Sequence, residues 1–359
     1  MSAPGIVEAL YRDLPSVLEV HLHQIDLLQD TVLLARLTRN DFMQASFLDQ
    51  RVLSLDTAAN WVPWGALAQR LSSQVRTSPA YYLFHIGHCG STLLSRLLGE
   101  LGVLPLREPL TLRTLAELHP DLDAPHSRWN RATFDARLAL VLAACDRGAG
   151  SRAVKPTSWC NDLAPAILAG DARVRATVCY VRPGAHIANL LVGPASRLDL
   201  MSMAPMRLRR LDARVGGGSG RLTEMSPGVV AAMSWATETA ALGAALEDVG
   251  QERICCIDFD DFLEDARKGL HRLAMHAGAS AVELARVDAV ATGPATRQYS
   301  KAPEHVFDTG LRRRLLEQSQ ALFGEEIRAG LDWLERTAGR FVPVARALQR
   351  FGGANRGVD

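Results

Sequence analysis

Apolar and polar positions alternate differently along the two parts of this chain. From residue 1 to about 75, short apolar runs are broken by charges, as in VLEVHLHQIDLLQDTVLLARL, and the stretch ends in the aromatic-rich NWVPWGALAQRL. That pattern predicts a small α+β extension. It changes at Ser78-Pro79, where AYYLFHIG forms a compact apolar run stopped by glycine. Behind it, STLLSRLLGELG carries its apolar residues at helical spacing. The pair reads as strand, glycine turn, helix. Further strand-like runs follow at Arg152–Lys155 (RAVK), Arg175–Val181 (RATVCYV) and Arg253–Phe259 (RICCIDF), each ahead of a helix-compatible stretch. Strands alternating with helices predict an α/β protein with a doubly wound, mainly parallel sheet flanked by helices.

Between Met201 and Met225 the sequence MAPMRLRRLDARVGGGSGRL sets a linker-like glycine run in a basic stretch. A mobile surface loop is expected there, with RLRR at 207–210 facing water. From Gly310 onward, LRRRLLEQSQALFGEEIRAGLDWLERTAGRF has an amphipathic helical pattern. The resulting division is an N-terminal extension over 1–75, a main domain over 76–340 and a C-terminal tail over 341–359, frayed from Gly352.

Composition narrows the function classes. The 359 residues are 48% hydrophobic and 22% charged, enough for one large core. Lys plus Arg (40) nearly equals Asp plus Glu (39), so no overall basic field draws in nucleic acid or an anionic membrane. Any anion must be held by a local site. The six cysteines lack a CxxC pair and several lie in strand-like runs, which fits reduced, buried thiols. Met1 to Val20 carries scattered charges in place of a basic start and an apolar run, so no secretory signal is expected. No uninterrupted apolar stretch approaches the ~20 residues of a membrane span. A cytoplasmic protein is the expectation.

The stretch richest in chemistry is FHIGHCGSTLLSRLL, Phe84 to Leu98. A buried strand enters glycines and then a helix opening on Ser91 and Thr92. The first amides of a helix have no intrahelical partner, so Gly90, Ser91 and Thr92 can donate to a phosphate or sulfate held above them. Gly87 and Gly90, without a Cβ, let such a group come close. The loop is not a Walker A motif, because the six-residue glycine spacing and the lysine of G-x-x-x-x-G-K-[ST] are absent. A plain strand-to-helix turn with Ser91 as its cap is the structural alternative.

HIGHCGSTLLSRLL resembles the 5′-phosphosulfate loop of sulfotransferases that use 3′-phosphoadenosine 5′-phosphosulfate (PAPS), a P-loop NTPase-like fold whose loop is usually written P-[KR]-S-G-T-[ST]. Gly87, His88, Cys89, Gly90, Ser91 and Thr92 take those places. His88 stands where the family has Lys or Arg against the leaving phosphate. The resemblance runs over roughly 80 to 335 and implies more site residues. LGVLPLREPLTLRTLAEL is similar to the tyrosylprotein branch and makes Glu108 a catalytic base, the alternative being a loop glutamate paired with Arg107 or Arg113. AVKPTSWCNDLAPAIL puts Lys155 where a family lysine reaches the sulfonate, the alternative being a surface lysine at a strand end.

RATVCYVRPGAHIANLL matches the strand whose arginine binds the 3′-phosphate, here Arg182. The family's second ligand there, a serine, is replaced by Leu190, with Asn189 beside it. TRQYSKAPEHVFD falls where a late basic loop covers the nucleotide, offering Arg297, Ser300 and Lys301, or else it is a connecting loop. Trp235 is expected in the core and Asp260 or Asp261 as a helix cap. No metal is implied.

The implied reaction moves a sulfonate from PAPS to a hydroxyl or amine of a small-molecule or peptide acceptor, with neither nucleic acid nor membrane as partner. His88 and Lys155 would stabilise charge, and Glu108 or His88 would take the acceptor's proton. The rival readings are a kinase-like phosphotransferase, which needs Mg²⁺ and the missing lysine, and a binding module that has kept the pocket without turnover.

Overall fold

The computed structural model describes residues 3–71, 79–147, 150–299, 302–306 and 309–353. At its start, α1 (Ala3–Asp13), β1 (Val20–Asp26), β2 (Thr31–Arg36), α2 (Arg39–Gln44), β3 (Ala59–Pro63) and α3 (Trp64–Leu71) build the α+β extension. Its three strands pair antiparallel in the order β1-β2-β3. Val20, Leu22, Val32 and Leu34 are buried between them and the helices. β1 also packs on α5 (Leu110–Leu118) of the main domain, so the extension shares the main core.

Around α5, the main domain opens with β4 (Tyr81–His85), α4 (Ser91–Glu100) and β5 (Leu104–Arg107), and continues with α6 (Arg131–Cys145), β6 (Arg152–Lys155), α7 (Ala164–Ala169), β7 (Ala176–Tyr180), α8 (Pro183–Val192), α9 (Pro194–Val215) and α10 (Pro227–Val249). It ends with β8 (Ile254–Asp258), α11 (Phe259–Glu264), α12 (Ala266–His276), α13 (Ala281–Leu284), α14 (Val287–Ala291), β9 (Gln298–Tyr299), β10 (Ala302–Val306), α15 (Thr309–Arg340) and α16 (Val342–Phe351). Five strands form one parallel sheet ordered β5-β6-β4-β7-β8. The fold is therefore the α/β parallel-sheet architecture that the strand–helix alternation predicts. β4 lies at its centre and every residue of β4 is buried, which is why AYYLFH reads as a continuous apolar run. The chain steps from β4 to β5, back to β6, and then across to β7 and β8. Carboxyl ends of β4, β6 and β7 thus meet where the winding direction reverses, the usual ligand crevice of such sheets.

Two expectations are corrected. The stretch from 201 to 215 is not a loop but the second part of α9. Its arginines hold it down: Arg207 and Arg210 are buried, and Arg210 reaches two carboxylates. Only the glycine run behind it is irregular, with Gly216, Gly217, Gly218 and Gly220 all at positive φ. Even there Ser219 N donates to Asp212 Oδ1 at 2.9 Å and Arg340 donates to the carbonyl of Gly218 at 3.2 Å, so the turn is pinned. The second correction concerns 341–359, where residues 342–351 are the helix α16. Its Val344, Ala347 and Phe351 are fully buried, and it packs on α10 and α15.

α10 is the helix at the middle of the helical layer, packed by α8, α9, α15 and α16. It is long and apolar enough to cross a membrane by length and composition, yet its apolar window is 89% buried inside the fold. Trp235 on it is fully buried and donates from Nε1 to the carbonyl of Val181 at 3.0 Å, a core residue as expected.

Candidate functional site

The candidate site is assembled at the carboxyl ends of the parallel strands. β4 ends in His85 and turns through Gly87, His88 and Gly90 with φ values of 77°, 49° and 81°, then enters α4. Left-handed residues interleaved with ordinary ones, as Cys89 separates His88 from Gly90, are the backbone geometry of anion-binding concavities. α4 begins at Gly90, an N-cap that supplies no side-chain hydrogen bond to the first turn. This removes Ser91 as the cap. Ser91 and Thr92 are buried at this first turn. A Cβ on Gly90 would fall 2.2 Å from the ring of Phe259, which packs against the loop from the start of α11. Only glycine is accommodated there. Cys89 turns inward, its Sγ donating to the carbonyl of Cys179 at 3.2 Å.

Beside the loop, Lys155 at the end of β6 is 1% exposed and pairs with the carboxylate of Glu108. The two are also joined through the backbone, Glu108 N donating to the carbonyl of Lys155 at 2.6 Å. Lys155 Nζ lies 3.3 Å from His85 Nε2, and His85 Nδ1 accepts from Gly87 N at 3.0 Å. A chain of contacts therefore runs from the glycine turn through His85 and Lys155 to Glu108. Glu108 has φ 52°, and Asp30, His88 and Glu108 are the only non-glycine residues with positive φ among those described. Two of these three strained positions face the same site, where sterically disfavoured backbone is held by its surroundings.

Neither partner proposed for Glu108 is its partner. Arg107 turns away, donating to Ser95 Oγ and to the carbonyls of Phe42, Met43 and Ala45, while Arg113 pairs with Glu117 at 2.9 Å. A surface position for Lys155 is likewise excluded by its burial.

His88 reaches Asp199 on α9, with 3.4 Å between Nε2 and Oδ2, and Arg207 meets the same carboxylate oxygen at 3.3 Å. The hydrogen bond with His88 and, secondarily, the charges of Arg207 and His88 outweigh burial and hold Asp199 down at about 2. Asp199 thus stays ionised and orients the His88 ring. Beneath the loop lies a second buried network. Asn161 Nδ2 donates to the carbonyl of His85 at 3.0 Å and to Glu238 Oε2 at 2.9 Å, and Arg210 bridges Glu238 and Asp162. Burial pulls the Arg210 guanidinium down, but Glu238 and Asp162 more than offset it, so it is held firmly charged.

Arg182 stands at the end of β7 as the N-cap of α8, where it was expected. It is held between two carboxylates. Its terminal nitrogen donates to Asp261 Oδ1 at 2.7 Å, and its Nε sits 3.1 Å from Asp258 Oδ2 without aiming an N–H at it. Asp258, not Asp260 or Asp261, caps α11, accepting from Asp260 N at 2.9 Å, while Asp260 pairs with Arg312 at 2.5 Å. Leu190 is buried in the core. Asn189 keeps its Nδ2 buried with no acceptor. Arg297 is exposed at the end of a one-turn helix, Pro294–Arg297, that packs on α4. Ser300 and Lys301 lie outside the described residues.

No family model matches the chain, and no curated protein matches it. Solved structures do. A sulfotransferase domain from the curacin biosynthetic pathway is 16% identical, with a TM-score of 0.37 over 70% of this chain and 99% of its own. A sulfotransferase domain from the Synechococcus PCC 7002 olefin synthase is 17% identical, with a TM-score of 0.38 over 69% and 89%. Sulfotransferase STF9 from Mycobacterium avium is 13% identical, with a TM-score of 0.36 over 89% and 96%. All three neighbours are sulfotransferases. Scores of this size make no residue of this chain equivalent to a residue of theirs.

Sequence motifs single out the loop, Glu108, Lys155 and Arg182 as candidates; no motif marks His85, Asn161, Asp162, Asp199, Arg207, Arg210 and Glu238, which the fold sets around the loop and beneath it. One signal was visible: Glu238 is an acid in the otherwise apolar MSWATETAALG. A charge in the buried face of a helix requires a partner.

Proposed function

We propose that the chain transfers a sulfonate from PAPS to a hydroxyl or amine acceptor. The observation that carries this reading is the uncapped, left-handed loop Gly87–Thr92 joined through His85 to the buried Lys155–Glu108 pair. The 5′ end of the donor fits: the amides that open α4, whose N-cap supplies no side-chain hydrogen bond, suit phosphate oxygens, and no Mg²⁺ site is needed to hold them. The 3′ end fits less directly. Asn189 offers an unsatisfied buried donor, but Arg182 would have to exchange carboxylates for phosphate.

When bound, the donor supplies the sulfonate, and adenosine 3′,5′-bisphosphate is what remains after transfer. On this reading Glu108 takes the acceptor's proton as its oxygen or nitrogen bonds to sulfur. The electron pair of the broken S–O bond goes to the phosphate oxygen. Lys155 and the loop amides face the charge that gathers there, in a setting already shielded from water. His88, oriented by the ionised Asp199, donates to the same side. The residue that takes the proton and the residues that stabilise the leaving phosphate's charge are then different ones, so His88 need not do both.

Calorimetric titration with adenosine 3′,5′-bisphosphate in the absence of Mg²⁺ tests the reading. Micromolar binding is expected, weakened at least about 10-fold in Arg182→Ala, the scale of one lost charge-assisted contact. Asp261→Asn removes a competing carboxylate and is expected to tighten binding about 3-fold or more. Absence of binding, or binding of ATP that requires Mg²⁺, would overturn the proposed chemistry.

A further inference from the structure

A cleft of about 420 Å³ lies behind the phosphate-loop helix, between the second half of α4, the end of α2 and the segment from Arg286 to Gln298. Among the described residues, three arginines line it, Arg96, Arg107 and Arg286, with one acid, Glu100. Arg107 is 1% exposed, and every hydrogen bond it donates ends on an uncharged oxygen. Three of these are carbonyls at the end of α2, so the helix terminus offsets part of its charge but supplies no anion. Arg286 donates to the backbone carbonyl of Glu100 at 2.7 Å. Among the described residues neither Arg107 nor Arg286 has a carboxylate at ion-pair distance. Burial, then the nearby Arg96, pushes Arg107 down to about 9, as expected for a cation short of counter-charge. The remaining wall is apolar, with Met43, Val290 and Pro294.

We infer that this cleft is a second ligand site, taking a small molecule that carries an oxyanion on an apolar body. Its volume lies in the range of small-molecule sites, and its lining sets Arg107 and Arg286, with no carboxylate at ion-pair distance among the described residues, beside apolar surface. The inference does not rest on sulfonate transfer. The site is separate from the phosphate loop, because it opens on Arg96 and Glu100 and not on the first turn of α4. Its place still matters to that loop, since Arg107 is the residue before the strained Glu108.

Titration of the full chain with 1-anilinonaphthalene-8-sulfonate, followed by calorimetry and fluorescence, tests the site. One saturable site is expected, with the uncharged N-phenyl-1-naphthylamine binding at least about 10-fold more weakly. Arg286→Glu, at an exposed position whose side chain makes one backbone contact, is expected to weaken the sulfonate probe about 10-fold or more. Val290→Glu, which sets a carboxylate in the cleft, should do the same, with circular dichroism checking that both variants fold. Displacement of the probe by octanoate or octyl phosphate supports the site, and the stronger competitor identifies the oxyanion. Unchanged binding in both variants, displacement by neither competitor, or competitive displacement by adenosine 3′,5′-bisphosphate would overturn it.

Discussion

Single residues set the chemistry of this site through burial and backbone strain. Lys155 shows the energetic side. A lysine 1% exposed needs a partner for its buried ammonium, and Glu108 supplies it. Removing one member of such a pair leaves an uncompensated buried charge, whereas removing both leaves an uncharged core. Glu108→Gln is therefore expected to cost about 3 kcal/mol in urea unfolding, and Glu108→Gln with Lys155→Met to recover at least half of that loss. Equal costs for the single and double variants would show that the pair is not coupled. His88 carries the other lesson. A histidine at φ 49° departs from the favoured backbone regions, and its ring is placed by Asp199, 111 residues further on. Neither the strain nor the partner can be read from the motif HIGHCGS.

At the scale of elements, the close crossing of α10 and α15 positions the helical layer that carries Arg210's partner Glu238. A Cβ on Gly228 would lie 1.9 Å from the carbonyl oxygen of Glu326, and one on Gly330 would lie 2.5 Å from that of Gly228. The helices touch through bare backbone. Glu326 also caps α10, accepting from Ser226 Oγ at 2.6 Å and from Gly228 N at 2.7 Å. Gly228→Ala is expected to cost about 2 kcal/mol or more, because the helices must separate. Gly243→Ala on the same helix meets nothing within 4 Å and is expected to stabilise by up to about 1 kcal/mol. Thermal unfolding of the two variants checks the contrast, and a similar change in both would refute the close crossing. Elements were legible where periodicity was clear, as in β4, α4 and the long helix from Thr309. The stretch 201–215 was misread because its charges resemble a solvated surface, while their partners Asp162 and Glu238 come from elsewhere in the chain.

At the scale of the whole molecule, Asp258 joins the end of β8 to α11 and, through Arg182, to the start of α8, where Gly353 also packs. Burial pushes its carboxyl up from 3.8 to about 6, against the pull of the Asp260 amide and Arg182. The native state then holds the proton more tightly than the unfolded chain. This contribution to stability is complete below about pH 4 and is lost as pH rises through about 6. Asp258→Asn, which keeps the cap acceptor, is expected to gain on the wild type by on the order of 2 kcal/mol between pH 4 and pH 7. Unfolding free energies compared across that range check it, and a pH-independent difference would mean that Asp258 titrates normally.

The sequence alone determined the α/β class, the buried strand β4, the glycine turn into α4, and the presence of Lys155 and Arg182 at strand ends. These are local properties, since period, glycine placement and strand termination are written in neighbouring residues. That Glu108 follows a strand, Leu104–Arg107, came only from the fold. Tertiary structure decided which charges are buried and with whom. It placed Lys155 against Glu108, enclosed Arg182 between Asp258 and Asp261, and buried Arg210 against Glu238. Burial and pairing depend on segments far apart in sequence, and an arginine facing water and one locked between carboxylates look the same until the chain folds.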